Sequence, residues 1–191
     1  MTTHAVEIPG YVAGTWTIDT LHSDVGFAVR HLMVAKVRGH FTRFSGTIVT
    51  AEDPLDSHVS ATIDMASVDT GQPGRDEHLR NADFFEVEKY PEMTYASTGL
   101  RADGDAFVLD GDLTLHGVTR AVPLRLEPNG FVPDPFRTDV PGALRMGLTA
   151  TGELDRTAFG IDFNGPIPGA NGMALGERIQ LTLEIEATLD V

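Results

Sequence analysis

The 191-residue sequence contains no cysteine, which excludes disulfides, thiolate metal sites and thiol nucleophiles. Positive charge is also in short supply, with 14 Lys and Arg against 28 Asp and Glu and a formal net charge of -14. A nucleic-acid partner calls for a basic face that neutralises phosphates, so that class is excluded. The same imbalance works against tight docking of the whole chain on an anionic bilayer and leaves at most transient membrane contact. No stretch approaches the ~20 apolar residues of a membrane-spanning helix. The opening MTTHAVEIPGYVAG has neither a basic n-region nor an apolar h-region, and the chain reads as a cytoplasmic protein. Its length suits one domain, an N-terminal extension over residues 1–13 followed by a β-barrel domain over 14–191.

Period-two alternation dominates what is present. Val25, Phe27 and Val29 fall on one face, as do Val59, Ala61, Ile63 and Met65, then Phe107, Leu109, Leu113 and Leu115. Val122, Leu124 and Leu126 follow, then Leu144, Met146 and Leu148, and finally Ile179, Leu181, Leu183 and Ile185. Between Val37 and Val49 the parity slips, with Phe41 on one phase and Phe44 on the other, which predicts a bulge near Thr42 and Arg43. Turn signals stand at Asp53-Pro54, Asp103-Gly104, Pro128-Asn129-Gly130 and Asp134-Pro135. The pattern predicts eight or nine strands. Short turns favour an all-β, up-and-down antiparallel barrel, since parallel strands need helical crossovers. Helix is scarce: one turn over Leu32 to Lys36, and two or three turns over Arg75 to Phe84 with Asp76 and Glu77 in the first turn. The Gly- and Pro-rich stretch from Asn164 to Gly176 reads as a long loop at one barrel end.

An eight-stranded barrel either fills with its own side chains or holds one ligand. The inward faces, with Phe27, Phe41, Met65, Phe107 and Met146, suit a hydrocarbon chain. Scattered histidines (His22, His31, His40, His78, His116) lack both the G-x-S-x-G elbow and metal pairs such as H-E-x-x-H, and read as satisfied or solvent-facing. Asp103 with Asp105, and Asp110 with Asp112, lack an EF-hand loop and read as solvated turns. Arg75, Asp76, His78 and Arg80 differ in being concentrated on one short helix, packed down by Phe84 and Phe85. They form either a rim helix plugging the barrel or a polar collar for the head of an amphiphile.

The run WTIDTLHSDVGFAVRHLMVAKVRGHFTRFSGTI, residues 16–48, resembles the opening of the YceI-like family of lipocalin-like, polyisoprenoid-binding proteins. RDEHLRNADFFEVEKYPEMTY, GDLTLHGVTRAVPL and the R-x-x-F-G element at Arg156, Phe159 and Gly160 resemble that family's later motifs, in order. The resemblance covers residues 14–191. It implies an elongated eight-stranded antiparallel lipocalin-like barrel with one or two short helices, binding a long isoprenoid (quinone or polyprenyl lipid) or a similar amphiphile as cargo. It implies no cofactor, no bound metal and no chemistry, and a homodimer. Many members act in the periplasm behind a secretion signal. The matched polar positions are His22, Ser23, His31, Arg75, Asp76, His78 and Arg156. The expected ligand-binding set is therefore Val25, Phe27, Val29, Phe41, Phe44 and Ile63 along the walls, with Met65, Phe107, Leu113 and Met146. His31, Arg75, His78 and Arg156 complete it at the mouth. With so few arginines a neutral head is favoured over a pyrophosphate, because a pyrophosphate wants several guanidinium or helix N-terminal donors. The rival is a lipid-modifying enzyme with His31 or His22 as general base.

Overall fold

Alternating side chains place one face of each strand inward, and here that face closes on itself. The structure, a computed structural model, describes residues 8–104, 106–169 and 171–191. Its strands are β1 (Gly14–Ile18), β2 (Asp24–His31), β3 (Ala35–Phe41), β4 (Phe44–Thr50), β5 (His58–Asp64) and β6 (Val68–Asp69). After helix α1 (Pro73–Arg80) come β7 (Glu92–Asp103), β8 (Ala106–Leu115), β9 (Val118–Ala121), β10 (Leu124–Pro133), β11 (Leu144–Asp155) and β12 (Leu175–Leu189). All pairings are antiparallel, and β1 joins β12 to close an eight-stranded barrel.

Twelve segments make eight staves because several staves are broken. β1 and β2 both pair along one edge of β12, interrupted at Asp19–Ser23. There the Ser23 hydroxyl takes over the ladder, accepting from Glu186 N at 3.0 Å and donating to Glu186 O at 3.2 Å. β3 and β4 are interrupted at Thr42–Arg43, where Ser67 takes their bonds, with Thr42 N donating to its carbonyl at 3.1 Å and Arg43 N to its hydroxyl at 3.0 Å. This is the bulge that the parity slip predicts. It bends the stave while keeping Phe41 and Phe44 both inward.

Four local expectations are corrected. Leu32 to Lys36 is not a helical turn: Leu32 and Met33 take left-handed φ values of 49° and 60° in a hairpin tip, and β3 starts at Ala35. The tip lacks the Gly or Asn that such a turn ordinarily uses, which hid it. Pro128-Asn129-Gly130 is not a turn but a bulge inside β10, where the register with β11 shifts between Pro128 and Gly130. The helix begins two residues before Arg75, with Pro73 in its first turn and Gln72 capping, and stops at Arg80. Asp76 does not simply face the dipole; it is buried and accepts from the Thr70 amide at 2.9 Å and the Thr70 hydroxyl at 2.5 Å. Asp105 lies outside the described residues. Asp103 ends β7 beside the turn and pairs with Arg125 at 3.0 Å; Asp110 and Asp112 are not turn residues but lie within β8, where Asp110 pairs with Arg101 at 3.0 Å.

Packing divides the interior along its axis. At one end Trp16, Ile18, Ile48, Met146, Ile185, Ala187 and Leu189 fill the barrel. Trp16 is fully buried, its indole N–H donating to Thr50 Oγ1 at 2.8 Å and its ring edge-on to Phe131. Residues 8–12 lie over this end: the Tyr11 ring meets Phe131 at 5.7 Å, and its hydroxyl reaches Ala51 O at 2.8 Å and Ser57 Oγ at 3.0 Å. The other end carries the β2–β3 tip, α1, the β8–β9 turn and the long loop before β12.

Candidate functional site

Inward apolar side chains enclose three cavities that share walls along the barrel axis. The largest, about 480 Å³, lies beneath α1 and includes Val29, His31, Met65, Arg75, His78 and Arg156 in its lining. It shares Phe27, Phe41, Met93, Leu154 and Leu181 with a central cavity of about 130 Å³, where Val25, Phe44, Ile63 and Leu113 also lie. The central cavity shares Ile48, Val59, Leu109, Leu126 and Leu148 with a third, of about 80 Å³, at the Tyr11 end, which Phe107 and Met146 line. Each residue of the expected ligand set thus borders one of these three spaces. The chamber is widest at the α1 end and narrowest at the opposite one.

Two glycines set its width. A Cβ at Gly39 would stand 2.6 Å from Phe27 Cζ, so only glycine lets that ring lie against β3. A Cβ at Gly111 would stand 2.4 Å from Tyr95 Cζ. Tyr95 brings the one hydroxyl to the central lining, held between Leu109 O and Val122 O at 3.2 and 3.1 Å. Burial, with the charges of Asp110 and Asp112, pushes its ionisation above the usual tyrosine range, so it stays neutral.

The polar groups gather at the mouth. Arg75 donates to Thr70 Oγ1 at 2.7 Å and Thr70 O at 2.9 Å; Arg80 donates to Ala66 O and Val68 O, both at 2.8 Å. Arg156 is 4% exposed and donates to Gly176 O at 3.0 Å, Ile161 O at 2.6 Å and Phe163 O at 3.0 Å, leaving Nη2 without a partner. Burial pushes its guanidinium down, with the charges of Glu177, Asp155 and Asp162 opposing. These arginines are fastened mainly to backbone carbonyls, so they hold the rim together instead of forming a free cationic clamp. Arg156→Lys is expected to cost about 2 kcal/mol, because an ammonium cannot reproduce the fork that ties the loop to β12. A chemical-denaturation midpoint equal to that of the parent would refute this.

His78 Nε2 lies 2.8 Å from Asp83 Oδ2, and its ring stands edge-on to Phe84 and Phe163 at 5.0 and 5.2 Å. Phe84 and Phe85 do pack the helix down, and both line the mouth cavity. Phe163, Leu175 and Ile179 also line it; the alternation puts Ile179 on the inward face, whereas Phe163 sits in a Gly-rich loop without periodicity, which gives no signal.

His22 and Ser23 are elsewhere. His22 borders none of the three cavities; it lies at the β1–β2 break, 2.9 Å from Asp19 and stacked on Phe136. Arg145 fills the centre of that cluster, with Nη1 at 2.6 Å from Asp19 Oδ2 and 2.8 Å from Glu186 Oε2. Asp19, His22 and Glu186 approach one another closely enough for a cation, but the guanidinium already supplies the positive charge there.

A closed antiparallel eight-stranded barrel with an apolar axial chamber and a helix across one end defines a lipocalin-like fold. The sequence profile of the YceI-like domain matches residues 16–187, and the chain belongs to that family. A UPF0312 protein of Photorhabdus laumondii is 37% identical over 157 residues, covering 82% of this chain and 74% of its own. Protein YceI of Shigella sonnei is 39% identical over 153 residues, 78% of each chain. Among solved structures, the YCEI protein of Campylobacter jejuni superposes with a TM-score of 0.70 at 29% identity, covering 91% of this chain and 96% of that one. A polyisoprenoid-binding domain from Saccharophagus degradans shares the fold, with a TM-score of 0.66 at 15% identity over 94% of this chain and 100% of its own.

Proposed function

We propose that the protein sequesters a long-chain isoprenoid, such as a quinone or polyprenyl lipid, tail inward along the barrel axis, and releases it unchanged. The observation that carries this reading is the predominantly apolar lining shared from the cavity of about 480 Å³ at the mouth through to the two smaller ones. A prenyl tail is long, thin and apolar; each buried CH₂ contributes roughly 0.8 kcal/mol, so affinity can come from the tail alone. The YceI-like family, and the fold shared with a domain described as polyisoprenoid-binding, support the same ligand class.

The head belongs at the mouth, among His31, Arg75, His78 and Arg156. Their geometry favours a neutral oxygen-bearing head over a pyrophosphate, since each of the three rim arginines already spends most of its fork on fixed protein oxygens, and Arg156 Nη2 is a buried nitrogen there without an acceptor. Among the described residues the His31 imidazole has no ion-pair partner to orient it, and His22 lies on another surface. The cavity lining therefore supports the container reading more directly than a general-base role for either histidine.

Native mass spectrometry of the purified protein, with organic extraction of anything bound, tests the proposal. One long-chain isoprenoid per chain is the expected result. A protein that comes empty and rejects added isoprenoid quinones and polyprenols would sink it.

A further inference from the structure

A tip that breaks the local rules for tips, and does so with apolar residues, calls for a reason. Leu32 and Met33 both hold left-handed φ values in the β2–β3 loop, which Val34 N closes onto His31 O at 3.1 Å. Bulky side chains rarely adopt that conformation, and strain of this kind collects where function demands it. Here it turns three apolar side chains toward solvent: Val34 is 81% exposed, Met33 61% and Leu32 38%. The tip is bonded to the loop beside it, Leu32 N donating to Ala174 O at 2.7 Å. That loop adds Met173, 47% exposed, and Phe163, 39% exposed. Phe163 also lines the mouth cavity, so the exposed apolar rim runs continuously into the chamber.

Charge around this tip is opposite to that of the rest of the molecule. From Val25 to Ala51 the sequence has no Asp or Glu, in a chain whose net charge is -14. Arg30, Lys36 and Arg38 flank the tip and are exposed, and among the described residues none of them forms an ion pair. The adjoining strand contributes Glu177 of opposite sign and Arg178, which is paired with Glu153.

We infer that the β2–β3 tip, with Met173 and Phe163, is a docking surface for an anionic lipid bilayer, and that it sets the barrel mouth against the membrane. Apolar residues enter the headgroup–acyl boundary while the basic residues behind them meet anionic headgroups. The acidic remainder is repelled by the same surface, so the approach is mouth first. Continuity of the rim with the chamber selects a bilayer over a folded protein as the partner. The inference rests on the lipid-container reading, because a long prenyl lipid reaches the mouth only from a membrane.

The full chain is tested by co-sedimentation with phosphatidylcholine vesicles and with mixed phosphatidylcholine–phosphatidylglycerol vesicles. Binding to the mixed vesicles is expected, weakening as salt is raised. Met33→Asp with Val34→Asp lowers the partition coefficient roughly tenfold or more. Lys36→Gln and Arg38→Gln each lower it roughly fivefold on the anionic vesicles only. All four side chains are exposed, and an unchanged Tm confirms that the variants fold. Cargo delivered from ethanol, without vesicles, must still be retained by the tip variants; failure of the unsubstituted protein to retain it strikes the container reading, not the docking surface. Equal vesicle binding by parent and tip variants overturns the docking surface. So does a parent that ignores both vesicle types, or a tip substitution whose only effect is a fall in sedimentation mass, which would mark the tip as a contact between copies of the chain.

Discussion

Leu181→Trp is expected to abolish binding of long prenyl chains while sparing short ones. Leu181 pairs with Phe27 across β12 and β2 and borders both the mouth cavity and the central one. An indole at this neck fills the passage between them. A tail kept out of the central and far cavities loses its contacts there. Excluding even five methylenes at roughly 0.8 kcal/mol each removes about 4 kcal/mol, close to a thousandfold in affinity. A chain short enough to lie within the mouth cavity loses little. The measurement is a titration with a ladder of prenyl alcohols of increasing length, and the expected signature is a sharper length cut-off in the variant. Overpacking itself costs about 1–3 kcal/mol of stability, which a parallel thermal scan separates from binding. Long chains bound equally by both proteins would mean that the tail never passes the neck.

The second large effect concerns stability and lies on the outer wall. Arg145 is buried beneath the loop that follows β10, bonded to Asp19 and Glu186, 3.6 Å from Asp134 and 5.2 Å from the centroid of the Phe136 ring. The Asp134 side chain is fully buried. Arg145→Ala strands that carboxylate and sets Asp19 and Glu186 against each other without a counter-charge, at an expected cost of about 3–5 kcal/mol. Arg145→Ala with Asp134→Asn should recover part of it.

The same cluster predicts how stability varies with pH. Burial pushes the Asp19 carboxyl up, but hydrogen bonds from Arg145, His22 and the Leu21 amide, with the Arg145 charge, outweigh it and hold the group at about 2. A carboxyl whose folded pKa is depressed stabilises the fold fully above its unfolded value near 4, and that contribution is lost as pH falls through 2. The parent protein should lose on the order of 2 kcal/mol from this group between those pH values, and Arg145→Ala much less. Denaturant midpoints taken across that range provide the check; parallel profiles for parent and variant would contradict it.

Arg145 also shows where sequence reasoning stops. Its three acidic neighbours come from positions 19, 134 and 186, and nothing in the local pattern of any of them announces the others. The barrel itself was legible because inward positions repeat every second residue, from Val25 to Ile185. Even the broken stave at Thr42–Arg43 declared itself as a change of parity. His31 and His22 looked alike in sequence, yet one closes a strand at the mouth and the other caps a break on the outer wall. Only closure of the barrel separates them. The hairpin tip was misread because Leu-Met-Val carries no turn chemistry, and Pro-Asn-Gly misled in the opposite sense, as turn residues used for a bulge. Alternation gives facing, and chain order gives neighbours. Neither gives the loop contacts that bring Phe163 over the mouth.

The cover formed by Tyr11 at the narrow end has a consequence for traffic. With Trp16 and Phe131 packed behind it, the wide way into the barrel among the described residues is at the α1 end. On the container reading proposed above, a guest drawn in tail first would leave head first through the rim by which it entered, so loading and unloading would retrace one path. A carrier built this way would have to let go of one membrane and turn before it could face another, and withdrawing the tail would set its pace.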